Sequence, residues 1–422
     1  MKFYKFRDPV HGFIEVSPME ARIIDSKPFQ RLRNIKQLAM SYLVYHGAEH
    51  TRFGHSLGVM HLVTKAFQSV VNKNPGFLSE EKIDWYQQIL RLIALTHDLG
   101  HAPFSHASED LFPNNLEHED YTVKIIKETC ISRYISQIGY EYVKKYGKKY
   151  DISPELICDI YRGKTAGENS EFVFLNSFMD SELDCDKMDY LLRDSLYCGV
   201  NYGKYDVERL ISSLTVYKDR EIPRLAIERG GVQAFEEFVL ARYFMFIQVY
   251  FHKTRRYFDI TLSKALKELL PNGTYPEDVN EYLEWDDNKV LQLFKEYASD
   301  VEECKRIVDR IVYSTVLESK VHYQHGDKQY FDSQKKMIFR EFGMDSFIED
   351  NSADKMPHKI PKKVDIEDER AILILDKTSG KISTISDESF IISNLTEEIN
   401  IRRLYVCPEK RDEVIEFRKT IS

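Results

Sequence analysis

Four of the thirteen histidines lie between positions 97 and 118: His97, His101, His106 and His118. A structural histidine usually stands alone. A cluster beside Asp98 points to metal coordination, because neutral imidazole and carboxylate together suit Mn, Fe, Zn or Ni. Four segments carry these groups: RFGHSLG around His55, HDLGHAPFSH from His97, LEHED around His118 and DCDKMDY around Asp186. Two imidazoles and two carboxylates (His55, His97, Asp98, Asp186) would leave coordination positions open, as a catalytic rather than a structural site does.

Helices must deliver these groups. Val59, Met60, Val63, Phe67 and Val70 share one face, which predicts a helix beginning near His55. Ile83, Tyr86, Ile89, Leu90, Ile93 and Leu95 predict a second helix from about Ser79 to Leu99, with Gly100 as its C-terminal cap. Neighbours on a helix point about a quarter-turn apart. His97 and Asp98 can therefore serve two close metals, or grip one metal if the helix end unwinds. A third helix is expected from roughly Val232 to Leu270, apolar over much of its surface. The residues through Glu15 read as extended, with turn signals at Asp8-Pro9 and His11-Gly12.

These strings, in this order, resemble the HD superfamily, and in particular the deoxynucleoside triphosphohydrolases of the SAM-and-HD-domain type and their bacterial relatives. DPVHGFIEV, IIDSKPFQRLRNIKQL and the segment near His252 extend the likeness over residues 4 to 260. The implied fold is mostly α, an HD-domain helical core placed over 1–350, and the residue patterns after Asp350 add a small α+β region over 351–422. The implied reaction is metal-dependent hydrolysis of dNTPs to a deoxynucleoside and inorganic triphosphate. A divalent ion (Mn, Mg, Fe, Zn or Ni) would be held by His55, His97, Asp98 and Asp186.

The resemblance assigns further roles. His118 matches a general acid to the leaving sugar oxygen, and His106 and Glu109 match its orienting partners. Glu109 stands where the family more often has Asp. His101 matches a phosphate contact, as do Arg52, Lys187 and Arg242; a triphosphate needs several cations. Gln37 and Asp194 match groups that bond the 3′-hydroxyl, with Leu38 also lining the substrate. Tyr190 and Tyr250 match a wall that excludes a 2′-hydroxyl. Phe251 replaces an amide, so base recognition is expected to differ. Asp25, Arg33 and Arg209 match a regulatory site, formed between subunits, for an activating nucleotide (dGTP or GTP) in a homo-oligomer, dimer or tetramer. The stretch Glu228-Arg229-Gly230-Gly231 departs from the pattern that holds the activator's phosphates.

Composition bounds the alternatives. The 422 residues carry 59 basic and 68 acidic side chains, a formal charge of -9. That balance argues against a chain whose main task is coating nucleic acid. The six cysteines form no CxxC pair, and the N-terminus has no apolar signal core; a reducing cytoplasm is the expected compartment. No apolar run is long enough to span a bilayer. His11, His46, His50 and His61 read as structural or surface residues. Near the C-terminus, Met356-Pro357 and Ile360–Lys363 read as a linker, with His358 to Lys363 a solvated basic loop. Ala371–Leu375, Ile382–Ile385 and Leu404–Val406 read as strands, and Arg411–Lys419 as a closing helix. Two rival functions remain: an HD phosphohydrolase acting on a monophosphate, a cyclic nucleotide or single-stranded nucleic acid, and a nucleotide-sensing regulator with a vestigial metal site.

Overall fold

The chain opens as a hairpin. Strands β1 (Tyr4–Asp8) and β2 (Gly12–Val16) pair antiparallel, with Phe6 opposite Ile14. Asp8 closes the turn by accepting the Val10 and His11 amides, both at 2.9 Å, and Gly12 takes a φ of 77°. The period-two alternation sends Ile14 and Val16 inward, where both are fully buried. The computed structural model describes residues 3–164, 171–219, 222–322, 325–351, 358–360, 365–368 and 371–421.

Helices dominate the remainder, as expected. Helix α1 (Arg52–Lys73) buries the predicted stripe Val59, Met60, Val63, Phe67 and Val70. It packs against α2 (Glu80–Thr96), whose first turn is capped by Ser79. Helix α2 stops at Thr96, with His97 as its C-cap, so Gly100 is not the cap. Gly100 is instead required by close approach. A Cβ there would lie 2.0 Å from the His118 carbonyl and 2.3 Å from the Thr122 amide. That leaves room for the start of α3 (His118–Glu128) to rest directly on the turn after α2. Helix α4 (Cys185–Cys198) also lies against α1 and starts at Asp184, whose side chain accepts the Lys187 amide at 2.8 Å.

The expected long helix from Val232 is broken. Helix α5 (Val232–Met245) runs into a π turn at Phe246–Tyr250, the chain bends at Phe251 and His252, and α6 (Lys253–Leu269) follows. Arg255 donates to the freed Tyr250 carbonyl at 2.6 Å. The wider turn reorients the residues at its end, Tyr250 among them.

Two further sheets tie the chain together. Strands β3 (Leu214–Asp219) and β4 (Ile222–Glu228) are extended by β7 (Leu373–Leu375) and β8 (Ile382–Thr384) in the order β3-β4-β7-β8. In the other sheet β9 (Arg402–Val406) lies between β5 (Ser314–Glu318) and β6 (Phe347–Asn351). Strands on either side of Asp350 thus share both sheets, and α8 (Arg411–Ile421) closes the chain after α7 (Asp287–Glu296). Met356-Pro357 and Pro361–Lys363 lie outside the described residues. His358 and Ile360 are buried rather than solvated, and His358 Nε2 lies 3.1 Å from the Ile392 carbonyl. All six cysteines are free thiols. Among the described residues no helix is long and apolar enough to cross a membrane.

Candidate active site

Helix α1 delivers His55 in its first turn, the end of α2 delivers His97 and Asp98, and α4 delivers Asp186. Their donor atoms converge. His55 Nε2 lies 2.8 Å from Asp186 Oδ1 and 3.7 Å from Asp98 Oδ2; His97 Nε2 lies 3.3 Å from Asp98 Oδ1 and 3.5 Å from Asp186 Oδ1. Donors about 2.1 Å from one ion are spaced in this way. The tautomers fit as well. His97 Nδ1 donates to the Ala94 carbonyl at 2.7 Å, which leaves Nε2 as a buried nitrogen with no hydrogen-bond partner. His55 Nδ1 donates to Asp189 at 2.8 Å, which leaves its Nε2 lone pair facing the cage. Thr122 and Tyr161 both donate to the His97 carbonyl at 3.0 Å and hold the unwound helix end.

Charge supports the same reading. Burial opposes a proton on His55, yet Asp186, Asp189 and Asp98 push its pKa up to about 10. A divalent cation would supply that positive charge and release the proton. Burial would raise Asp98, but Arg52 and His97 hold it well below the usual carboxylate range.

A second cluster adjoins the cage. Glu109 accepts from His101 Nδ1 at 2.6 Å and His106 Nδ1 at 2.7 Å, and lies 3.2 Å from His118 Nδ1. His101 Nε2 lies 3.1 Å from Asp98 Oδ1, so one imidazole links the two clusters. The His101 and His118 rings stack at 3.9 Å. Burial, with Arg52 and His118, lowers His101 to about 3, so it stays neutral. Burial also opposes charge on His118, but Glu109 outweighs it and raises the pKa. Of these two stacked rings, His118 is the better holder of a proton. Despite replacing the usual Asp, Glu109 reaches all three imidazoles.

The cationic positions are already paired. Arg52 donates to Asp98 at 2.8 Å and to Ser105 Oγ at 2.7 Å. Lys187 bonds Asp184, and Arg242 bonds Glu182 at 3.2 Å. Tyr190 and Tyr250 meet edge to face at 6.2 Å. The Tyr250 hydroxyl donates to Asp194 at 2.7 Å. The buried Gln37 Oε1 has no hydrogen-bond partner, and Leu38 is buried beside it. Asp25 and Arg33 are exposed, and Arg33 lies over the Phe53 ring. Arg209 donates to the Gly230 carbonyl at 2.6 Å. Among the described residues no hydrogen bond or ion pair joins these three.

Two histidines read as structural or surface residues lie in this framework. His50 is buried 2.8 Å from Asp194 and stacks on Tyr197, and His11 lies 2.6 Å from Asp189. Their partners are distant in sequence, so spacing carries no signal for them.

Residues 52–194 match the HD domain and residues 205–342 the HD associated region. The uncharacterized protein YwfO of Bacillus subtilis is 31% identical over 418 residues, covering 93% of this chain and 89% of its own length. The chain belongs to the HD-domain family. The four residues of the cage lie within the matched HD domain, a phosphohydrolase family whose domains bind divalent metal ions. A crystal structure of a hypothetical protein from Aquifex aeolicus superimposes with a TM-score of 0.79 at 32% identity, over 98% of this chain and 99% of that one. The deoxynucleoside triphosphate triphosphohydrolase SAMHD1 of Gallus gallus is 28% identical over 342 residues, 72% of this chain but 54% of its own length. The HD-domain chain therefore spans about half of that relative.

Proposed function

We propose that the protein is a metal-dependent dNTP triphosphohydrolase, yielding a deoxynucleoside and inorganic triphosphate. The observation that carries this reading is the 3.1 Å contact between His101 and Asp98, which joins a cation-holding cage to a proton-holding cluster. Hydrolysis of a phosphate ester is accelerated by both, the cation at the phosphoryl group and the proton at the leaving oxygen. A bound divalent ion would polarise a phosphoryl oxygen and make water a nucleophile at neutral pH.

The chain's own residues do the rest. His118, kept protonated by Glu109, gives its proton to the leaving sugar oxygen. His106 orients Glu109, and His101, neutral and fixed between Asp98 and Glu109, faces phosphate. Arg52, Lys187 and Arg242 supply positive charge. Gln37 and Asp194 bond the 3′-hydroxyl, Leu38 lines the pocket, and Tyr190 and Tyr250 close against a 2′-hydroxyl. The likeness to SAMHD1 of Gallus gallus supports this substrate class. We extend the reading to a homo-oligomer in which a dGTP or GTP activator binds at Asp25, Arg33 and Arg209.

A less charged phosphate ester is the second reading. It is favoured by the pairing of Arg52, Lys187 and Arg242 with Asp98, Asp184 and Glu182. A turnover screen separates the two. The four dNTPs and four NTPs are each incubated with Mn, Mg, Fe or Zn, and products are identified by mass. Deoxynucleoside plus triphosphate supports the proposal. Inert dNTPs, with turnover of a monophosphate or cyclic nucleotide, overturn it.

A further inference from the structure

The N-terminal hairpin reaches the back of the proposed metal cage. Asp189, fully buried on α4, receives four contacts on its two oxygens. Oδ2 accepts from His55 Nδ1 at 2.8 Å and from Arg193 Nε at 2.8 Å. Oδ1 accepts from Arg193 Nη2 at 3.0 Å and lies 2.6 Å from His11 Nε2. The Arg193 guanidinium continues to Asp8 in the hairpin, with Nη1 donating at 2.9 Å and Nη2 at 3.3 Å. Asp8 also shapes the turn that carries His11, through the Val10 and His11 amides. One chain of charge-assisted contacts therefore runs from the hairpin through Arg193 and Asp189 to His55.

The RFGHSLG motif is shaped around this relay. Gly54 and Gly58 flank His55 on α1, four residues apart and so on one face. A Cβ on Gly58 would lie 1.9 Å from Asp189 Oδ1 and 2.5 Å from Arg193 Nη2. A Cβ on Gly54 would lie 3.2 Å from Arg193 Nη1. On α4, Asp186, Asp189 and Arg193 follow at helical spacing, so one face presents the cage carboxylate, the relay carboxylate and the guanidinium to α1. The two glycines make room for that face.

We propose that Asp189 is a positioning residue for the metal centre, orienting His55 from behind, and that the N-terminal hairpin is locked onto it through His11 and Asp8. The proposal rests on the reading of His55 as a metal ligand. A carboxylate behind a ligating imidazole fixes its ring and tautomer and strengthens it as a donor, and losing such a partner typically weakens metal binding by about 10–100-fold. A buried pair that served stability alone would have no need of the His55 bond.

The test titrates Mn2+ into metal-stripped full-length protein, with free Mn2+ read by electron paramagnetic resonance and the fold followed by circular dichroism melting. Asp189→Asn keeps an acceptor for His55 but removes the charge; its Mn2+ Kd should rise by about 10–100-fold. A wild-type Kd together with a lowered melting temperature overturns the proposal, because Asp189 would then support only the fold. If Asp189→Asn does not fold, Asp8→Asn decides: a several-fold weaker Kd supports the relay, and an unchanged one overturns it. His11→Gln, which retains a donor, should bind Mn2+ more tightly than His11→Ala; equal affinities at the wild-type value overturn the hairpin lock. His55→Ala separates the two levels. Loss of binding there with Asp189→Asn unaffected removes only the positioning role, and unchanged binding in His55→Ala removes the ligand reading itself.

Discussion

Two clusters of imidazole and carboxylate sit side by side, and their stoichiometry differs. In the cage, carboxylates surround His55 and push it towards holding charge. In the neighbouring cluster three imidazoles share Glu109. In the cage His55, His97 and Asp98 are buried and the Asp186 side chain is 32% exposed, whereas the His106 side chain of the neighbouring cluster is 64% exposed. Carboxylates gathered around a buried imidazole favour a cation, and three imidazoles on one carboxylate at a solvent-facing edge favour a proton that can leave. The same residue types thus do different work according to ratio and burial.

The largest break in this contrast comes from the cage. His97→Ala, read by Mn2+ titration and turnover, should lose both while the melting curve is nearly kept, because Nε2 has no hydrogen-bond partner and only the Nδ1 bond to the Ala94 carbonyl is lost. Retained metal binding would take His97 out of the cage. His118→Ala should act on the other side of the division, lowering turnover by about 10²–10⁴-fold with Mn2+ affinity unchanged. If metal affinity falls in parallel, the clusters are not functionally separate. Glu109→Gln sharpens the comparison through pH. Glu109 raises the His118 pKa above its ordinary value, so the proton is held as pH climbs and lost only above that raised value. Removing the carboxylate charge should move the alkaline limb of the turnover profile to lower pH; a limb that stays in place assigns it to another group.

Smaller effects probe what holds the clusters together. Gly100→Ala inserts a methyl against the His118 carbonyl and should cost about 1–3 kcal/mol, measured by urea unfolding. An unchanged midpoint would mean that α3 shifts freely away from α2. The smallest effect concerns activation: dGTP should speed turnover of another dNTP in wild type but not in Arg33→Ala. No acceleration in wild type removes the regulatory role of Asp25, Arg33 and Arg209.

The legible parts of this protein were those written in local periodicity. The stripe from Ile83 to Leu95 and the face from Val59 to Val70 need only helical spacing; both are buried as expected, except that Ile83 is only half-buried. The break at Phe246–Tyr250 was not legible. The segment, FIQVY, is mostly apolar and carries no glycine or proline to mark a break, and what reaches into the bend, such as Arg255 on the Tyr250 carbonyl, is decided by packing. Gly100 illustrates a subtler miss: its place near a helix end suggested a cap, while its actual constraint is a backbone that arrives from His118 and Thr122.

By itself, then, the sequence determined which helices carry the candidate side chains, because that follows from residue type and short-range spacing, while the roles of those side chains came from the resemblance of whole motifs to a family. Only the tertiary structure decided that Glu109 reaches three imidazoles, that Arg52 lies on Asp98, and that His11 and His50 stand behind Asp189 and Asp194. Those contacts join residues as many as 178 positions apart. At that separation no local pattern constrains which side chains meet; the packing of whole helices and of the hairpin does.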